Sequence, residues 1–184
     1  RATPTCFRPS SAPEAVRAID GSFALVAADG TTVRLARSMD RPMRYFLAKR
    51  QEGPALYIAD RVDGLHQALE RDGLATQFHP SYTRMVPAHY VVELALVGCP
   101  DPGPTYTRFF APDRNGLPAD LDEIGRRYIG ALATEITKWL NALRTGTSER
   151  EPIGVAFSGG IDSGSVLLVT YHAMLQLGMS PSRL

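Results

Sequence analysis

The sequence predicts an α+β portion built of antiparallel strands, followed by the start of an α/β portion with a parallel sheet. Three observations carry that expectation. Short apolar segments separated by turn residues recur between Phe23 and Leu96, as in an antiparallel sheet. A long amphipathic pattern then runs over 120–143, the mark of a helix with one buried face. Last come an apolar segment, a glycine turn and a second helical stretch over 153–177, the signature of a β–α unit.

Arg1–Pro13 is rich in Pro, Ser and Thr and reads as a disordered lead-in. Glu14–Ile19 reads as a helical turn. Phe23–Ala27 is a first strand, ending at Asp29-Gly30, a pair that favours a tight hairpin because both turn positions need positive φ. Thr31–Ala36 resumes as the partner strand. Met43–Ala48 and Ala55–Ala59 follow as a third and a fourth, so the expected arrangement is a meander. Asp63–Arg71 reads as a helix with Leu65 and Leu69 on one face and Gly73 as its stop. Phe78–Pro87 reads as irregular, Tyr90–Leu96 as a strand, and Gly98–Pro102 as a turn. Tyr106–Phe110 is aromatic and basic, and Ala111–Pro118 reads as a linker.

Asp120 stands at the start of the long helix with Glu123 three residues on, the spacing of a reciprocal capping box. Ile124, Tyr128, Leu132, Ile136 and Leu140 recur every four residues, and Ala131, Trp139 and Leu143 widen the stripe. Thr145–Pro152 is polar. Ile153–Phe157 reads as a buried strand, Ser158–Asp162 as a turn, and the final helix runs to about Leu177 with Gly178 as its stop.

Composition excludes several classes. The chain of 184 residues carries 20 Lys+Arg against 19 Asp+Glu, a net charge of +1, so it has no overall field to hold nucleic acid or an anionic membrane. No apolar run approaches the roughly 20 residues of a membrane span. Arg1–Ser11 has no apolar signal-peptide core. The cysteines, Cys6 and Cys99, form neither a disulfide framework nor a CxxC metal site. The expected compartment is the cytoplasm.

The chemistry is concentrated in Val155-Ala-Phe-Ser-Gly-Gly-Ile-Asp-Ser-Gly164. The first turn of a helix presents unpaired N–H groups and the positive end of its dipole. Gly159 and Gly160 let backbone approach a phosphate closely and adopt positive φ. Ser158 and Ser163 add hydroxyls. Asp162 repels phosphate alone and makes sense with Mg²⁺ between them. The lysine and spacing of a Walker A loop are absent.

This SGG-x-DS segment resembles the pyrophosphate-binding loop of the PP-loop ATP pyrophosphatases. The segments before it, Asp20–Leu25, Leu35–Ser38, Arg41–Phe46, Leu56–Arg61 and Val86–His89, look in their order like the later half of a class II glutamine amidotransferase domain. That order is similar to the asparagine synthetase B family over about Gly21–Gly178. The resemblance implies a truncated Ntn-type antiparallel domain over 14–118. It implies a linking helix and the first β–α unit of a PP-loop, adenine nucleotide α hydrolase-like parallel-sheet domain over 119–184. It further implies ATP and Mg²⁺ as cofactors, with Ser158, Gly159, Gly160, Ile161, Asp162 and Ser163 on the pyrophosphate and Asp162 on Mg²⁺. The reaction implied is ATP-dependent activation of a carboxylate as an acyl-adenylate, then C–N bond formation with ammonia or an amine.

This sequence departs from the family in ways that also inform. The family's glutaminase nucleophile is an N-terminal cysteine. Cys6, with only 14 residues between it and Gly21, fails on spacing, Cys99 sits among turn residues, and the glutamine-binding segments are not found. Ser38 follows Arg37 where the family has Asp. The amidotransferase-like part is thus expected to be glutaminase-dead, as in β-lactam synthetases and lasso-peptide cyclases, and these are alternative readings of the activity. The family's second Mg²⁺-ligand segment and substrate pocket do not follow Leu184, so the expectation is an N-terminal part or subunit completed by a protein partner. A non-catalytic scaffold docking a separate catalytic chain is a further alternative. A relative of GMP or NAD synthetases is disfavoured by the strands before the loop.

Elsewhere the expectations are plain ones. His66, His79, His89 and His172 lack metal-ligand spacing and read as surface or packing residues. Arg34, Arg37, Arg41 and Arg44 read as the solvated face of a strand pair rather than a site for an acidic partner. Trp139 reads as a packing residue between domains, and Tyr82–Met85 as an inter-domain contact.

Overall fold

The computed structural model describes residues 12–98, 102–145 and 151–184. It is an α+β fold with antiparallel sheets, and the chain divides between Pro112 and Asp113 into two compact units.

The first unit opens with α1 (Ala12–Arg17), which begins inside the stretch expected as lead-in. Pro13 falls in its first turn, where the missing N–H has no helical partner to lose. The remainder of the lead-in, with Cys6, lies outside the described residues, as does Cys99. β1 (Ala24–Asp29) and β2 (Thr32–Arg37) form the expected hairpin, closed by the pair Asp29↔Thr32. Its loop residues are therefore Gly30 and Thr31, one position later than expected. Of the two, Gly30 alone has positive φ, at 57°, as in the hairpin turn that takes glycine first.

The expected meander ends at β2. β3 (Arg44–Ala48) and β4 (Ala55–Ala59) pair with each other instead. After α2 (Val62–Arg71), the two-residue β5 (Arg84–Met85) joins β3 to complete a second sheet in the order β4-β3-β5. The 78–87 stretch read as irregular thus contains a strand and a single helical turn over Pro80–Tyr82. β6 (Tyr90–Ala95) returns to the free edge of β2, from Thr32↔Ala95 to Leu35↔Val92. β7 (Thr105–Arg108), which sequence did not mark as a strand, extends the sheet to β1-β2-β6-β7.

The physical reason lies in β2, whose four central residues are all buried. A strand buried on both faces needs a layer over each of them. On one side Val33 and Leu35 of β2 and Val92 and Leu94 of β6 pack against Met43, Tyr45 and Val86 of the second sheet. On the other, Ala36 and Val91 meet Val16 of α1, with Phe23, Leu25 and Phe109 around them. The far face of the second sheet is covered by α2, whose Leu65 and Leu69 pack on Phe46 and Ala48. The unit is therefore four layers: helix, sheet, sheet, helix. Truncating any one of these fully buried leucines to alanine costs about 2–5 kcal/mol.

The second unit consists of α3 (Leu121–Thr145), α4 (Ile161–Gln176) and the segments around them. Asp120 Oδ1 accepts the N–H groups of Asp122 at 2.9 Å and Glu123 at 3.2 Å, so the expected cap forms. Its reciprocal half does not: the Glu123 carboxylate pairs with Arg127 at 2.8 Å and Arg126 at 3.1 Å, which hold its pKa below the usual carboxylate range. The second half of α3 packs within the unit, where Leu140, flanked by Ile136 and Leu143, meets Ala173 and Met174 of α4. Tyr128, on the predicted apolar stripe, is exposed.

Ile153–Phe157 differs from expectation. It pairs with no strand among the described residues. Its main attachment is at one end, where the Ile153 N–H donates to the Arg183 carbonyl at 2.6 Å and the Arg183 guanidinium donates to the Glu151 carbonyl at 2.8 Å. A strand is defined by its neighbour, and an apolar run without one stays an extended connection. α4 ends as expected at Gly178, which has φ of 65°. Its N–H reaches the Leu175 carbonyl at 3.1 Å and the Met179 N–H reaches that of Met174 at 2.9 Å. Those two bonds make a Schellman motif, and the buried Met174 and Met179 belong to one cluster.

Candidate functional site

The predicted loop joins the extended 153–157 segment to α4. Gly159 has φ of 81°, a value L-residues rarely adopt. Nothing lies within 4 Å of where a Cβ on Gly159 would stand, so the space over the loop is open. Gly160 is the N-cap of α4 and is extended, with φ of −84° and ψ of 163°. No side chain caps this end of the helix. The first regular helical bond here is Gly164 N–H to the Gly160 carbonyl, at 2.9 Å. The turn before it, Ile161–Ser163, therefore presents backbone N–H groups at the positive end of a 16-residue helix.

The two predicted serines are brought together. Ser163 Oγ accepts the Ser158 N–H at 3.3 Å and donates to the Gly160 carbonyl at 3.1 Å, while the two hydroxyl oxygens lie 3.2 Å apart. Ser163 thereby ties the loop to the first turn of the helix. Asp162 and Ile161 are exposed in that turn. A hydrogen bond that sequence reasoning missed joins Ser165 Oγ to the Ile161 carbonyl at 2.9 Å. It is an ordinary helical back-bond with no motif to announce it.

Chemically, an uncapped helix start, a left-handed glycine and two hydroxyls suit an anion with several oxygens. Among the described residues no group of three His, Cys, Asp or Glu side chains gathers to hold a metal. One carboxylate completed by phosphate oxygens and water is nonetheless an ordinary Mg²⁺ set, and Asp162 fits that role.

The other singled-out residues have local partners. Against the expected solvated face, Arg34 is buried and Arg37 and Arg44 are half-buried, whereas Arg41 stays exposed. Arg34 is only 9% exposed and pairs with Glu93 at 2.6 Å. The Arg37 guanidinium donates to the carbonyls of Val86, Ser38 and Met39. Arg41 donates to Ser22 Oγ at 2.6 Å, and Arg44 to the Asp60 carbonyl at 2.7 Å. Burial of β2 on both faces turns Arg34 inward, and the crossing between the sheets leaves carbonyls for Arg37 to satisfy.

Asp40 accepts from Ser22 Oγ and from Ser38 Oγ, and these bonds hold its pKa below the usual range. Ser38 also receives the Phe23 N–H at 2.9 Å, so it stitches the start of β1 to the crossing. His66 lies 3.7 Å from Glu70, His79 Nδ1 accepts the Ser81 N–H, and His172 Nε2 lies 2.9 Å from Gln176 Nε2. His89 has φ of 70° and its ring stands 5.0 Å from that of Phe110. Trp139 is half exposed beside Leu143, Pro152 and Ile153. No helix is long and apolar enough to cross a membrane among the described residues.

No protein-family model matches this chain, and no curated protein matches it significantly.

Proposed function

We propose that this chain supplies the pyrophosphate loop and a glutaminase-dead amidotransferase-like domain of an asparagine synthetase-like ATP-dependent amide ligase acting in the cytoplasm. The observation that carries the reading is the loop itself: Gly159 in the left-handed region, an uncapped α4 start, and Ser158 tied to Ser163. The helix–sheet–sheet–helix layering of the first unit supports the Ntn-type half of the proposal.

In this reading the N–H groups of Ile161–Ser163 and the hydroxyls of Ser158 and Ser163 hold the β and γ phosphates of ATP. Asp162 ligates Mg²⁺, which neutralises phosphate charge when bound. A carboxylate substrate attacks the α phosphate, its oxygen forms a bond to phosphorus, and pyrophosphate leaves into the loop. Ammonia or an amine then attacks the activated carbonyl and displaces AMP. The loop's contribution is to orient the leaving group and stabilise the charge it acquires.

A protein partner supplying the rest of the synthetase sheet is part of the proposal. Two observations support it. Among the described residues, 153–157 have no neighbouring strand, and Phe157 is exposed. Ile161, Leu168, Tyr171 and Leu175, at heptad-like spacing along α4, are all exposed as well, and such apolar stripes mark interaction surfaces. The same stripe favours the scaffold reading, in which the chain docks a separate catalytic subunit and its loop is vestigial.

Titrating the chain, alone and with its partner, with Mg²⁺-pyrophosphate while following backbone amides separates the two. The ligase reading predicts saturable shifts at 158–163. The scaffold reading predicts none in either state.

A further inference from the structure

The second feature with the makings of a site lies in the first unit and does not depend on the loop. Antiparallel order brings the start of β1, the end of β2, the start of β6 and the end of β7 to one end of the four-stranded sheet. A cleft of about 250 Å³ opens there, beside the end of α1. A dry cavity of about 150 Å³ holds a benzene ring, so this one has room for two fused rings.

Four rings line it: Phe23 ahead of β1, His89 ahead of β6, and Phe109 and Phe110 beyond β7. They form a connected row. Ring centres lie 6.3 Å apart for Phe23 and Phe109, 6.2 Å for Phe109 and His89, and 5.0 Å for His89 and Phe110, all tilted or edge-on. Those are attractive separations for aromatic pairs. Val16 and Ile19 close the side towards α1, and Met39 stands 74% exposed at the mouth.

The row is held from the backbone. The Phe23 N–H donates to Ser38 Oγ at 2.9 Å, and the Phe23 carbonyl accepts the Ser38 N–H at 2.9 Å. The Phe109 N–H donates to the His89 carbonyl at 2.9 Å, one step past the Tyr90–Arg108 pair. His89 holds φ of 70°, a conformation unfavourable for a residue with a Cβ. Arg37 also borders the cleft, and its guanidinium is spent on the carbonyls of Val86, Ser38 and Met39, so it stiffens the wall.

We propose that this cleft binds a small planar aromatic molecule carrying one hydrogen-bonding group, with its rings against Phe23, Phe109 and Phe110 and its polar group on the His89 imidazole. A flat π face gains from tilted aromatic neighbours beyond the area it buries. A saturated ring system of the same carbon skeleton does not. The imidazole can donate through one nitrogen and accept through the other, so a hydroxyl or a ring N–H serves equally.

The test is an amide-shift titration of the full chain with 2-naphthol and with its saturated counterpart, decahydro-2-naphthol. The expected result is 2-naphthol binding that saturates below about 1 mM, with shifts centred on 16–23, 37–39, 89 and 109–110. The saturated alcohol binds at least about fivefold more weakly. Phe110→Leu keeps an apolar side chain, loses the ring, and weakens 2-naphthol at least about threefold while leaving the saturated alcohol unchanged. His89→Asn keeps a residue that tolerates the left-handed region, loses the ring, and weakens 2-naphthol likewise. Phe110 is 43% exposed, so its variant keeps the test valid if the His89 variant does not fold. Equal binding of the two alcohols, shifts centred elsewhere, unchanged 2-naphthol binding by the Phe110 variant, or no saturation below about 1 mM overturns the proposal.

Discussion

Ser158 and Ser163 hold each other across the glycine loop, the Ser158 N–H on Ser163 Oγ at 3.3 Å and the hydroxyl oxygens 3.2 Å apart. Ser163→Ala removes that tie and the bond to the Gly160 carbonyl. The group is largely solvent-facing, so global stability changes by no more than about 0.5 kcal/mol. Affinity for Mg²⁺-pyrophosphate, read by isothermal calorimetry, falls about tenfold because the loop is no longer held for the anion. A large loss of stability with unchanged affinity would mean that the serine is structural.

Gly178→Ala tests the end of α4. The new Cβ meets nothing within 4 Å, so the whole cost is backbone, at φ of 65°. The expected loss is about 1 kcal/mol in urea unfolding of the chain. A stabilised variant would contradict the left-handed cap.

The Arg34–Glu93 pair is asymmetric, with side chains 9% and 44% exposed. Glu93→Ala leaves a buried guanidinium without its carboxylate and costs about 1–3 kcal/mol. Arg34→Met fills the same space and leaves a carboxylate that water reaches, so it costs less. Thermal unfolding of both variants ranks them, and the reverse order refutes the asymmetry.

Tyr45 sets an alkaline limit. Burial first, then the neighbouring Tyr106 hydroxyl, push its pKa from 10.0 to about 12. The folded state thus keeps a proton that the unfolded chain loses. Its stabilising contribution is complete below pH 10 and is lost as pH rises from 10 towards 12. Among the described residues the buried hydroxyl has no hydrogen-bond partner of good geometry, so Tyr45→Phe costs little at neutral pH. Denaturant titrations across that pH window should show a shallower decline in the variant. Identical slopes would place the alkaline sensitivity elsewhere.

What the sequence revealed was local in origin. Asp120 caps α3 through bonds to residues two and three positions away. Gly178 ends α4 through its own neighbours, and Ser158 meets Ser163 within a single turn. The larger departures are non-local. β2 takes β6 as its second partner, more than fifty residues on, and no spacing in either strand announces the other. Arg34 is buried because two layers close over β2, a fact absent from the alternation around it. Ile153–Phe157 has the composition of a buried strand, yet a strand's identity resides in its neighbour.

In the proposed function this loop holds the pyrophosphate leaving group through Mg²⁺ on Asp162. ATP–pyrophosphate exchange by the complete assembly, with Asp162 and with Asp162→Asn, tests it most directly. Asp162 is exposed in the first turn of α4, so the substitution leaves packing intact. Exchange is expected in the parent and is lost, by at least about a hundredfold, in the variant. Undiminished exchange with Asn at that position contradicts it.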